Sequence, residues 1–98
     1  MTEPNIDYEA LIRQACNEEA EFLIEKNKSY GNSALEPVRI FSQADPLEQI
    51  RVRLDDKLSR FIRGKGFPGD NDRKDLKGYL TLWRVYELAE EIRNKQKE

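Results

Sequence analysis

The stretch from Asp72 to about Arg93 reads as a helix that is apolar on two sides, and that constrains the fold more than any other feature of the chain. Leu76, Tyr79, Leu80 and Trp83 share one face, while Gly78, Leu82, Val85, Ala89 and Ile92 recur at a 4-3-4-3 spacing on the other. Both faces need cover, and a chain of 98 residues has little to spare for it. Either the first helix or the long connector wraps round the second face, or another chain covers it, and the small size favours the second chain. The expectation is therefore a homo-oligomer joined through Leu82, Val85, Ala89 and Ile92, most simply an antiparallel helical dimer. Gly78 costs about 1 kcal/mol relative to alanine inside a helix, which makes sense where another backbone comes close.

Two further helices complete the expected architecture, an all-α bundle of three helices in a single domain spanning 1–98, closed by oligomerisation. The first runs over about 7–26, with Asp7 as its N-cap and Tyr8, Leu11, Ile12, Ala15, Phe22 and Leu23 along one face. The second covers 46–63: Asp45 caps it, Pro46 takes the first helical position, and Glu48 is placed to close a capping box. Leu47, Ile50, Leu54, Leu58 and Phe61 fall within a narrow arc of it, and Gly64 stops it. The third covers 72–93. Between the first two, Ser33 to Ala44 reads as an irregular connector holding a short helical turn, with Val38, Ile40 and Phe41 tucked onto the core. GKGFPG, from Gly64 to Gly69, reads as a loop and lacks the spacing of a Walker motif.

Charge narrows the range of functions. Seventeen basic residues face nineteen acidic ones, a net charge of −2, which argues against a general grip on nucleic acid. No apolar run approaches the roughly 20 residues that cross a bilayer, and the N-terminus lacks the pattern of a signal peptide, so the expected compartment is the cytoplasm, where a single Cys16 stays reduced. Histidine is absent, which leaves carboxylates, lysine or a hard metal ion for any catalysis.

Polar residues concentrate in three segments, Lys26–Asn32, Asp55–Arg60 and Asp72–Leu80, each beside positions expected to be buried. Glu18, Glu21 and Glu25 form an i, i+3, i+7 ridge on the first helix, and Asp72, Asp75 and Tyr79 repeat that spacing on the third. Two such ridges meeting between helices would suit Mg²⁺, with Glu18, Glu21, Asp72 and Asp75 as ligands. Aspartates near a helix start also stabilise it through the dipole, without any metal. Arg51 to Lys65 carries six basic residues against two acidic ones, although Arg51 with Asp55 and Asp56 with Arg60 also suit plain i, i+4 ion pairs. Lys57, Lys26 and Lys28 are the candidates for gripping phosphate oxygens, Arg60 for neutralising charge there, Asn27 and Asn32 for polar contacts to a base or sugar, and Tyr30 for stacking on a base. Tyr30-Gly31-Asn32 reads equally as a helix-ending turn with Gly31 left-handed.

The order KNKSYGNSALEP, RVRLDDKLSRF, DRKDLKGYLTL resembles the small all-α nucleotide modification associated domain, common in phage genomes. The likeness covers roughly Phe22 to Glu87, with Lys26, Tyr30, Gly31, Asn32, Asp56, Lys57, Arg60, Asp75 and Tyr79 on the family's pattern. It implies a phage or bacterial protein that handles nucleotides. A more distant similarity to MazG-type nucleotide pyrophosphohydrolases rests on Glu18-x-x-Glu21. Asp72-x-x-Asp75 departs from that family in giving DxxD, and it lies farther along the chain than the family's spacing allows. Three functions follow as expectations: binding of a nucleotide or nucleotide-derived signal, Mg²⁺-dependent phosphohydrolysis, and a non-catalytic interaction module such as an inhibitor of host defence.

Overall fold

A computed structural model describes residues 4–64 and 71–97. It contains three helices, α1 (Tyr8–Ser29), α2 (Pro46–Arg63) and α3 (Asp72–Gln96), and no strand among the described residues. The expected loop from Lys65 to Gly69 lies outside that range. No helix among the described residues is long and apolar enough to cross a membrane.

Each helix begins where a short polar side chain takes up its free amides. Asp7 accepts from the Ala10 amide at 3.1 Å, Asp45 from the Glu48 amide at 2.9 Å, and Asn71 from the Lys74 amide at 3.0 Å. Gly64 closes α2 in the left-handed conformation, with φ 65°. α1 outlasts expectation by one turn because its terminator is a Schellman motif placed farther on. Gly31 is left-handed with φ 59°, its amide donates to the Lys28 carbonyl at 3.2 Å, and the Asn32 amide donates to the Asn27 carbonyl at 3.1 Å. α3 likewise runs past Arg93, since Asn94 to Gln96 contain no breaker.

α3 is the central element. α2 lies antiparallel along it: Lys57 reaches Asp72 and Asp75, Arg53 reaches Tyr79, and Arg51 lies over the Trp83 ring at 4.8 Å. Between them Ile50 is fully buried and Leu47, Leu54, Leu76, Tyr79 and Trp83 are half-buried. α1 meets α3 at a crossing, where Leu23 packs over Gly78; a Cβ built on Gly78 would stand 3.4 Å from the Leu23 Cδ1. Glu19 accepts from the Thr81 hydroxyl on one side of that point, and Lys26 donates to Asp75 on the other.

Several expected burials do not occur within one chain. Tyr8, Leu11 and Ile12 on α1, Leu58 and Phe61 on α2, and Leu80 on α3 are exposed. Val38 and Ile40 are exposed and Phe41 wholly so, which corrects the expectation that they tuck the connector onto the core. The connector instead seats Ala34 and Leu35, both half-buried, near Leu82 and Ala89, and its helical turn closes with the Glu36 amide donating to the Asn32 carbonyl at 2.8 Å. That seating covers part of the second stripe of α3: Leu82 is 8% exposed and Ala89 half-buried, while Val85 and Ile92 remain open.

Candidate functional site

The three helices meet at one ionic junction. Asp75, in the first turn of α3, is flanked by lysines from two other helices: Lys26 Nζ donates to Oδ1 at 2.9 Å, and Lys57 Nζ stands 3.0 Å from Oδ2. Lys57 also lies 3.9 Å from Asp72 Oδ1, a buried oxygen with no hydrogen-bond donor among the described residues. Two ammonium groups and two carboxylates make the cluster neutral as a whole, with the side chains of Lys57, Asp72 and Asp75 each less than a fifth exposed. Burial works to raise the Asp75 pKa, but the hydrogen bonds and charges of Lys26 and Lys57 outweigh it and hold the carboxyl below its ordinary value. The hydrogen bond to Asp75 holds the Lys26 ammonium above its ordinary value, against a smaller opposing effect of burial.

A cleft of about 60 Å³ opens beside this junction, bordered by Lys26, Asn27, Tyr30, Asp75, Gly78 and Tyr79. Its floor is apolar, formed by Leu23 and Leu82. Five of the candidate site residues, Lys26, Asn27, Tyr30, Asp75 and Tyr79, therefore share one surface, and Lys57 reaches it through Asp75. Arg53 donates to the Tyr79 hydroxyl at 3.4 Å and lies over its ring, which fixes the phenol at the α2–α3 seam.

Asn32, Asp56, Arg60, Glu18 and Glu21 do not border this cleft. Asn27 and Asn32 hydrogen-bond to each other through their side-chain amides across the Schellman turn, so the turn reading accounts for both, and Asn32 borders a separate hollow with Tyr86 and Arg93. Asp56 and Arg60 are exposed on α2. Arg51 pairs with Glu48 at 3.4 Å, in place of the expected Asp55. Glu18 accepts from Gln14 at 2.9 Å and borders, with Glu19, Arg73, Lys74 and Lys77, a hollow between α1 and α3, while Glu21 borders a hollow formed entirely by α1 residues. With Leu23 turned toward α3, the ridge Glu18, Glu21, Glu25 stands roughly 140° to 160° round the helix from it. No group of three or more His, Cys, Asp or Glu among the described residues is arranged to hold a metal ion.

Sequence reasoning passed over Glu19, the carboxylate of α1 that does reach α3. It accepts from the Thr81 hydroxyl at 3.0 Å and pairs with Lys77 at 3.5 Å. The signal was present: Glu19 sits four residues before Leu23 and seven before Lys26, on the same face. Phe22, expected on the buried face of α1, is exposed on one side and carries Lys74 and Lys26 over its ring at 5.0 and 5.8 Å. Comparison with protein-family models, with characterised proteins and with solved structures finds no match to this chain.

Proposed function

We propose that the chain binds a phosphorylated small molecule of the nucleotide class in the cleft beside Lys26. The observation that carries this reading is the convergence of Lys26 and Lys57, from separate helices, on the two oxygens of Asp75 at the edge of a surface that also presents Tyr30 and Tyr79. Lys26 is the more exposed ammonium and the one free to turn from Asp75 to an incoming phosphate oxygen, while Lys57 stays on the carboxylates. A space of about 60 Å³ takes a phosphate-sized group but not a nucleoside, so the base lies outside it against the exposed ring of Tyr30. The motif order shared with the nucleotide modification associated domain points the same way.

The test is to incubate the protein with a panel of linear, cyclic and base-modified nucleotides, separate protein from solution, denature it and chromatograph both fractions. One nucleotide is expected to stay with the protein, and Lys26→Ala and Tyr30→Ala each to weaken its retention at least tenfold. A panel that is neither retained nor altered overturns the reading in favour of an interaction module.

Asp72 favours a second reading. A buried carboxylate oxygen without a donor, next to a second carboxylate, is a place for a hard cation, and Asp72 with Asp75 would hold Mg²⁺ there once Lys57 is displaced. The chain would then be a phosphohydrolase, and nucleotide conversion that stops with EDTA is its mark. On either reading the chain works as a homo-oligomer, because one copy leaves most of its apolar side chains exposed.

A further inference from the structure

One copy of this chain covers itself poorly. It exposes 8411 Å² at a mass of 11.5 kDa, whereas a compact globule of that mass exposes roughly 5800 Å². Its radius of gyration is 17.1 Å against about 12.6 Å for a compact chain of 98 residues. The excess surface, about 2600 Å², is on the scale that one subunit of an obligate dimer buries.

The apolar part of that excess is not scattered. Val85, Leu88 and Ile92 lie within about 60° of one another on the half of α3 beyond the α1 crossing. The face of α1 that carries Leu23 continues backwards from the crossing as Ile12 and Tyr8, with Leu11 at its margin, and all three are exposed. Beyond Leu23 and Gly78, then, two helices leave their crossing with open apolar faces, and nothing among the described residues covers either. The start of α1 carries Asp7 and Glu9, the latter paired with Arg13, and the end of α3 carries Lys95 and Lys97 beyond an Arg93 paired with Glu90, so the tips differ in sign.

We infer that a second copy of this chain fills both faces: Tyr8, Leu11 and Ile12 of one copy pack on Val85, Leu88 and Ile92 of the other, and reciprocally about a two-fold axis. The arrangement pairs apolar face with apolar face and acidic tip with basic tip, as an isologous interface requires of one surface. It moves the expected contact surface. Leu82 and Ala89 are covered by the chain's own α1 end and connector, so Val85 and Ile92 keep their place in the interface and Leu88 with the start of α1 joins them. This deepens the homo-oligomer part of the reading above and rests on it, but not on the identity of any ligand.

Light scattering coupled to size exclusion tests it on the full chain without nucleotide. The expected mass is that of two copies, or of a higher multiple of two, at tens of micromolar. A monomer mass overturns the proposal, while retention of a nucleotide by that monomer would leave the binding reading standing. Ile12→Asp and Ile92→Asp should each shift the mass to one copy, and Ile62→Asp, on the outer side of α2, should not. If a charge variant fails to fold, cysteine pairing decides. In a Cys16→Ser background, Ile12→Cys and Ile92→Cys chains mixed under mild oxidation should yield a covalent dimer many times faster than either mixed with Ile62→Cys. Equal rates for all pairs overturn the interface.

Discussion

α3 is held on its two sides by different physics. Against α2 it buries Ile50 and half-buries Leu54, Leu76 and Trp83 along several turns, so apolar area runs the length of the contact, with Lys57 on Asp72 and Asp75 at one end and Arg53 and Arg51 on Tyr79 and Trp83 farther along. Against α1 it has one close packing point, Leu23 over Gly78, framed by polar bridges from Glu19 and Lys26. Apolar area spread over several turns keeps holding when individual charges are lost, whereas a crossing with one packing point framed by charges depends on each of them. The contrast teaches that α2 and α3 form the scaffold and that α1 is docked on it through the same ions that border the candidate site. On the proposed reading, ligand binding and α1 docking would be coupled through Lys26.

The largest effect that would break this contrast is on the scaffold. Ile50→Ala should destabilise the chain by about 3 kcal/mol, since Ile50 is wholly buried, and urea denaturation followed by circular dichroism should show all helices lost together. A cost below about 1 kcal/mol would mean that the α2–α3 seam is not the scaffold. Asp75→Asn comes next. It leaves Lys26 and Lys57 without their shared carboxylate and should cost about 2 kcal/mol, the worth of a hydrogen bond to a charged group. Its mark is graded: the largest rise in amide exchange over 19–29 in α1, a smaller one where Lys57 meets the first turn of α3, and protection as before around Ile50 and Leu54.

Acid should do what Asp75→Asn does. The Asp75 carboxyl is held below its ordinary value, so the stabilisation is fully present above the unfolded pKa, about 3.9. It fades as pH falls through the lower folded value. Lys26 has the opposite sign: raised in the folded chain, it stabilises below its ordinary pKa, about 10.4, and that contribution is lost only as pH rises through the higher folded value. α1 docking should thus be level between about pH 5 and pH 10 and weaken below about pH 4. Amide exchange of α1 across an acid titration checks this, with Asp75→Asn flattening the change.

The elements were legible because their ends are written locally. Asp7, Asp45, Pro46 and Gly64 each set a boundary by their own hydrogen bonds or backbone angles, and no distant partner is needed to read them. Lys26, Lys57, Asp75 and Tyr79 could also be grouped, since each flanks an apolar stripe and helices joined by their stripes bring their flanks together. Where Glu18 and Glu21 stand relative to α3 could not be read from the sequence, for a physical reason. Choosing which carboxylates face α3 requires knowing that Leu23, and not Phe22, sits on the crossing, and a one-residue change of facing rotates the helix by about 100°. Val38, Ile40 and Phe41 illustrate the other limit: an apolar residue in sequence says that it should be covered, but not by which chain.

The smallest effect sharpens the contrast most. A glycine at 78 invites the idea that no side chain fits beneath α1, yet a Cβ there would stand 3.4 Å from the Leu23 methyl, an ordinary van der Waals separation. Gly78→Ala should therefore keep α1 docked and gain much of the helix propensity that glycine forfeits, a stabilisation of about 0.5 to 1 kcal/mol in thermal unfolding. Gly78→Leu should instead push Leu23 off and release α1 while leaving the α2–α3 seam intact. If Gly78→Ala costs stability, the crossing is closer than Leu23 alone makes it, and α1 is held by more than its ions. If it stabilises, glycine is not what docks α1, and the bridges from Glu19 and Lys26 carry that contact.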